Sequence, residues 1–310
     1  MSTVVFLLVP QLHLLDLAGP AQVFSTAADL GYDYTLRYVA EQEDVPTSQG
    51  IPLRAGIDWP DLEPGDLIVV PGWRGPTLGR HGQLRPETSR RLAGHHAAGG
   101  TVASVCAGAD ALGRAGLLDG RRCTTHHDLQ DDLARRYPAA TVVRDVLYVV
   151  DDRVVTSAGI ASGIDLALHL VAGRHGPGAA GRVARSMVVY ARRNGEEQQA
   201  SAMLRHRSHL SDVVHRAQDL IDSRFADRLP LTDLAASCGV SERTLTRLFG
   251  RATGLTPLRY QQVLRLERAE HLIGHGATAE AAARSVGFQD ARMLRRLRAS
   301  HTAPAQDVRP

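Results

Sequence analysis

The chain has 310 residues, enough for two cored domains, and its 44% hydrophobic and 22% charged content is ordinary for a soluble protein. The net charge of +3 is small but uneven: residues 201–310 carry 17 arginines against 11 acidic residues, while residues 1–200 carry 19 against 22. Three cysteines, at 106, 123 and 238, form no spaced framework, and the apolar run 4–9 is too short for a signal peptide or a membrane span, so a reducing cytoplasm is the expected setting.

In chain order, short apolar runs alternate with helical patterns. Residues 4–9, 35–40, 66–71, 101–105 and 154–157 read as strands, and 21–30, 87–98, 109–115 and 163–172 read as intervening helices. This alternation predicts an α/β fold, with a mostly parallel sheet covered by helices on both faces. The glycine- and proline-rich stretch 175–181 breaks the pattern, and 182–193 reads as one more helix. Its apolar run 187–190 is a candidate for a dimer contact or for the core. The expected division is an α/β domain at 1–193, a polar linker at 194–209 and an all-α domain at 210–310.

Chemistry in the first domain centres on Cys106. The strand 101–105 runs straight into Cys106-Ala-Gly-Ala and a helix, the strand-to-helix elbow that presents a nucleophile. A helix N-terminus predicts a lowered thiol pKa and partial thiolate character. Asp16, in the segment after the first strand, opens at the same carboxyl edge of the sheet, where open α/β folds bind ligands. Backbone N–H groups of Gly72 and Ala107 are candidates for an anion cradle. The competing readings are a small buried apolar Cys106 and an Asp16 that bonds local backbone. No cofactor motif is present and no cluster has metal-ligand spacing; His126 and His127 are adjacent and expected to face different ways, a poor chelating pair.

The last hundred residues read as two helix-turn-helix units joined by one long helix. In the first, Gly239 permits the sharp turn and Ser241 caps the second helix, on which Leu245, Leu248 and Phe249 face inward. That leaves Arg243, Thr246 and Arg247 facing out, as the DNA major groove requires. A long helix opens at Pro257 and stops at Gly274. The second unit has Thr278 as its cap, a turn at 287–290, and a helix from Ala291 carrying Arg292, Arg295 and Arg296.

The pattern Gly-Val-Ser-x-Arg-Thr-Leu-x-Arg-x-Phe at 239–249, with Gly254 to Pro257, Arg265 to Ala269 and Val286 to Phe288, resembles the AraC/XylS-type DNA-binding domain. The resemblance implies that Arg243 and Arg247 are the main base readers, with Arg292, Arg295 and Arg296 as counterparts. It departs after Phe288, where the chain is about two residues short of the family pattern. The segments Leu15-Asp-Leu-Ala-Gly-Pro20, Val70-Pro-Gly72, Ser104-Val-Cys-Ala-Gly108, Thr124-Thr-His126 and Thr156-Ser-Ala-Gly159 are similar to the PfpI-type, class I glutamine amidotransferase-like domain, which implies a flavodoxin-like sheet. The order of the two domains resembles the GlxA-like transcriptional regulators.

By these resemblances the chain is expected to be a cytoplasmic, sequence-specific regulator of transcription. Its partners would be double-stranded DNA, a second copy of itself, a small-molecule effector and RNA polymerase. His126 matches a pocket histidine of the superfamily, so the pocket candidates are Asp16, Gly72, Cys106, Ala107 and His126. Protease-type members place a histidine directly after the nucleophile, and isonitrile hydratases a threonine. Ala107 stands there instead, so a non-catalytic pocket is expected. The alternative is an isonitrile hydratase- or amidase-like enzyme joined to a DNA-binding domain.

Overall fold

A computed structural model describes residues 2–75, 77–79, 84–189, 195, 199, 206–207, 209–274 and 276–301, with backbone alone at 299–301. The chain forms two compact units, residues 1–199 and 200–310. In the first, strands β1 (Ser2–Leu8), β2 (Tyr34–Ala40), β5 (Leu67–Val70), β6 (Thr101–Val105), β9 (Tyr148–Asp151) and β10 (Val154–Ser157) build one sheet in the order β2-β1-β5-β6-β10-β9. All pairings are parallel except β9 with β10. The central strands are apolar almost throughout because both faces are covered; Val4 to Leu7, Ile68, Val70, Val102 and Val154 are fully buried. Short pairs β3 (Asp44–Val45) with β4 (Leu53–Arg54) and β7 (Arg122–Cys123) with β8 (Thr141–Val142) lie outside this sheet.

Helices α1 (Leu14–Asp29), α5 (Ser162–His175) and α6 (Pro177–Ser186) pack on one another, and α2 (Pro86–Ala97) packs on α3 (Ala109–Arg114). The crossover β1-α1-β2 and the crossover β5-α2-β6 run in opposite directions across the sheet. With right-handed crossovers they must cover opposite faces. The chain reverses between β1 and β5, which puts the topological switch point at their carboxyl ends.

Several boundaries differ from the sequence reading for local reasons. β1 starts at Ser2 because the Ser2 hydroxyl donates to Gly65 O and the Thr3 N–H to Asp66 Oδ1. α1 starts at Leu14, passing through Gly19-Pro20 without a break; a proline removes one helical donor, and neighbouring packing holds the turn. The expected helix at 182–193 is instead α6, which ends at Ser186. Gly176 at φ 84° breaks the chain, and Pro177 then takes the first helical position. Met187 and Val189 pack against the core while Val188 is exposed; Tyr190 and the linker from 194, except residues 195, 199, 206, 207 and 209, lie outside the described residues. Helix α4 (Gln130–Arg136) and the antiparallel β9 were not expected.

The second unit is helical: α7 (Asp212–Ser223), α8 (Leu231–Ser237), α9 (Glu242–Thr253), α10 (Pro257–Gly274), α11 (Ala279–Ser285) and α12 (Ala291–His301). It holds two cores. Tyr260, Val263 and Leu264 of α10 join the first with Leu245 and Phe249, whereas Leu266 and Ala269 join the second with Ala282, Val286 and Leu294. At about 100° per residue, 260 and 264 lie opposite 266 and 269, so one helix serves both cores through two apolar faces. No helix of the described residues is long and apolar enough to cross a membrane.

Candidate functional site

At the switch point Asp16, Gly72 and Cys106 come together. Asp16 is fully buried and Cys106 is 5% exposed. A Cβ on Gly72 would stand 2.5 Å from Asp16 Oδ2, 2.6 Å from Cys106 Cβ and 2.8 Å from Ala107 N, so only glycine fits between the two side chains. Cys106 sits at φ 55°, a left-handed conformation that strains a non-glycine residue, and its N–H donates to Ala158 O at 2.7 Å. The strained strand-to-helix elbow is therefore present, but it buries the sulfur rather than presenting it.

Neither Asp16 oxygen makes a hydrogen bond of ordinary geometry; the donors that face the carboxyl are the Gly72 N–H and the Cys106 thiol. Burial raises the Asp16 pKa from 3.8 to about 7, and those two donors restrain the rise. The Cys106 thiol is pushed far above its usual value by burial first and by the Asp16 charge second. The N–H groups of Ala107 and Ile160 pull the other way and lose. This overturns the expected partial thiolate, because the turn at Cys106–Gly108 and the six-residue α3 supply a weak dipole against full desolvation. Gly72 and Ala107 are neighbours, but one amide faces Asp16 and the other the sulfur.

Two expected outcomes follow from this geometry. Iodoacetamide at neutral pH should leave Cys106 unmodified in the folded chain while labelling it in urea, read by peptide mass spectrometry; rapid labelling of folded Cys106 would contradict the buried, protonated thiol. For Asp16, the unfolded chain releases its proton near 3.8 and the folded chain near 7, so within that window the folded chain holds the extra proton. Stability of the first unit should fall as pH rises, by about 1.4 kcal/mol per pH unit at most. Asp16→Asn should remove that slope in urea melts at a series of pH values. An unchanged slope would place the effect elsewhere.

His126 is half-buried. Its Nδ1 accepts the Asp128 N–H at 3.3 Å, and burial, then the neighbouring His127, lower its pKa. Its link to the cysteine is Thr125, whose Oγ1 donates to Cys106 O at 2.7 Å. Gln199 Nε2 in turn donates to Thr125 O at 3.0 Å and Val146 O at 2.9 Å, fastening this loop to the start of the chain that leads out of the unit. Sequence reasoning missed Thr125, Ile160 and Gln199, which act through backbone or single-amide contacts that leave no local pattern. It also missed His13, which stands close enough to His126 to lower its basicity.

In the second unit, Gly239 takes φ 70° and the Ser241 hydroxyl accepts the Thr244 N–H at 3.2 Å, capping α9. Thr278 caps α11 in the same way, and Asp290 Oδ1 accepts the N–H groups of Arg292 and Met293 at the start of α12. Leu245 and Phe249 are fully buried with Leu248 beside them, while Arg243 and Arg247 are exposed and Thr246 is half-buried. Arg292, Arg295 and Arg296 are exposed too. Among the described residues, the side chains of Arg243, Arg247, Arg292 and Arg296 have no hydrogen bond or ion pair. Arg295 Nε reaches back to Ala291 O at 3.4 Å, and Arg298 pairs with Glu270 at 3.2 Å.

A buried cysteine at the switch point of a doubly covered parallel sheet, followed by two capped helix pairs, defines an α/β domain joined to a tandem helix-turn-helix module. The DJ-1/PfpI family pattern matches residues 2–173, and the chain belongs to that family. A helix-turn-helix domain pattern matches residues 234–304. The chain is 27% identical over 276 residues to the HTH-type transcriptional regulator GbdR of Pseudomonas aeruginosa, covering 86% of this chain and 72% of that protein. It is 36% identical over 170 residues to an isonitrile hydratase of Pseudomonas putida, covering 53% of this chain and 68% of that one. A crystal structure of an AraC family transcriptional regulator from Pseudomonas putida matches with a TM-score of 0.53 at 25% identity, over 60% of this chain and 100% of that chain.

Proposed function

We propose that this protein is a cytoplasmic transcriptional regulator that binds specific double-stranded DNA through its C-terminal unit. Its α/β unit dimerises and holds a small-molecule effector at Asp16, Gly72, Cys106, Ala107 and His126 without catalysing a reaction. The observation that carries the reading is the pair of capped helices whose arginine side chains, Arg243 and Arg247 on α9 and Arg292 and Arg296 on α12, have no partner among the described residues. Arginines free of internal partners at a helix N-terminal half suit base edges and phosphates. Similarity to GbdR along most of the chain supports the same function. RNA polymerase is the partner through which such a regulator would act.

Incubating the purified chain with fragments of its own genome and sequencing what it retains tests this reading: a shared motif is expected, and retention proportional to fragment length alone would oppose it. Sedimentation at micromolar concentration tests the dimer, since two linked readers gain effective concentration on a paired site. The second reading, an isonitrile-hydrating enzyme, is favoured by the 36% identity to the hydratase. The protonated Cys106 and the absence of a base or hydroxyl at Ala107 weigh against it. Isonitrile consumption that is lost in Cys106→Ser would reverse that judgement.

A further inference from the structure

Adjacent histidines alternate in direction in extended chain, yet His126 and His127 end up on one side. His126 is extended at φ −53° and ψ 140°, and the chain then bends at once into a tight turn over His127–Leu129. The bend lays the two rings 4.1 Å apart at 32°, overturning the expectation that they face apart. Asp128 closes the group: one carboxylate oxygen stands 3.6 Å from His126 Nδ1 and the other 3.4 Å from His127 Nε2. One donor atom from each of the three residues lies within 4.8 Å of the others. One histidine offers its near nitrogen and the other its far nitrogen, which is how neighbours in sequence converge.

Donors bound to one tetrahedral ion at about 2.0–2.1 Å stand roughly 3.3–3.4 Å apart. The three donor atoms lie within 4.8 Å of one another, so a small side-chain rotation, chiefly of the exposed Asp128 carboxylate, would bring them to that spacing. Two imidazoles and a carboxylate are a borderline donor set that selects Zn²⁺, Ni²⁺ or Cu²⁺ over Mg²⁺ or Ca²⁺. Asp128 is 75% exposed and His127 53%, so an ion can enter from solvent and keep coordination positions open. The Asp128 N–H to His126 Nδ1 bond, at 3.3 Å, is long and would yield to a metal. A second close histidine pair among the described residues, His209 with His215, is occupied: His209 Nε2 meets Gln218 Oε1 and His215 Nε2 meets His209 O.

We propose that His126, His127 and Asp128 form a three-ligand site for a borderline divalent cation, with at least one coordination position open to solvent. The site needs neither the Cys106 thiol nor the DNA-binding unit. Tag-free full-length protein, stripped with a chelator, is titrated with Zn²⁺ by calorimetry and with Co²⁺ by visible absorption. The expected result is one saturable equivalent with a dissociation constant on the order of micromolar, and a Co²⁺ spectrum of low-coordinate type. His127→Ala and Asp128→Ala should each weaken binding tenfold or more, with circular dichroism unchanged because both side chains are exposed. His209→Ala should bind as the parent chain does. Absence of a saturable equivalent, or full binding in both His127→Ala and Asp128→Ala, would overturn the proposal.

Discussion

Arg243→Ala and Arg247→Ala are each expected to weaken binding to the preferred DNA sequence by about 1–3 kcal/mol, roughly five- to 150-fold, and to relax discrimination at the base each contacts. On α9, Leu245 and Phe249 fix one face in the core and Ser241 fixes the start of the helix. The opposite face must then carry 243 and 247, one turn apart, with no partner among the described residues to compete for the guanidinium groups. Arginine can bond both acceptors of a guanine edge, so its loss removes two hydrogen bonds and a charge together. Arg298 provides the contrast. Its ion pair with Glu270 already engages it, so Arg298→Ala should weaken all sequences slightly and alike. A gel-shift titration of each variant on preferred and shuffled duplexes reads both effects, and parent-like binding by Arg243→Ala and Arg247→Ala would defeat the account of α9.

Arg265→Ala should destabilise the C-terminal unit by about 1.5–3 kcal/mol. From α10 this guanidinium donates to Phe225 O at 2.6 Å, Ala226 O at 3.2 Å, Asp227 O at 2.7 Å and Gly287 O at 3.0 Å. It also lies 5.7 Å from the centre of the Phe288 ring. It therefore ties the turn after α7 to the turn of the second helix pair. Gly287 belongs to the same junction: it takes φ 82°, and a Cβ there would collide with the Ala226 backbone. Arg265→Lys should recover little, since a point donor cannot serve carbonyls spread over four residues. Both tryptophans, Trp59 and Trp73, lie in the first unit. Urea unfolding of Arg265→Ala should thus shift the circular dichroism transition to lower urea and leave tryptophan fluorescence in place. Coincident shifts in both would mean that Arg265 acts elsewhere.

The fold was largely legible because its signals are local. Runs such as 101–105 and 154–157 are apolar enough to declare buried parallel strands, and the Gly239-Ser241 and Thr278 signals declare capped helices. The convergence of Asp16, Gly72 and Cys106 was legible for a related reason: all three follow strands whose carboxyl ends meet at the switch point. The state of the thiol was not, because a dipole argument from sequence omits the burial of Cys106 against Asp16. Helix α7 carried a helical spacing at 214, 217, 218 and 221, obscured because one of the four is Gln218. That side chain is buried and satisfied by His206 O and His209 Nε2. The His126–Asp128 group escaped notice because its convergence depends on a bend between neighbouring residues that no periodicity reports.

Arg243 and Arg247 on α9 are expected to let this protein read DNA sequence. The most direct test is competition fluorescence anisotropy with the full chain on a duplex recovered from its own genome, against a shuffled duplex of the same composition, at physiological salt. Affinity for the recovered sequence is expected to be at least about a thousandfold above that for the shuffled one. Equal affinity for the two, with the same salt dependence, would reduce the arginines to a nonspecific charge patch and contradict that expectation.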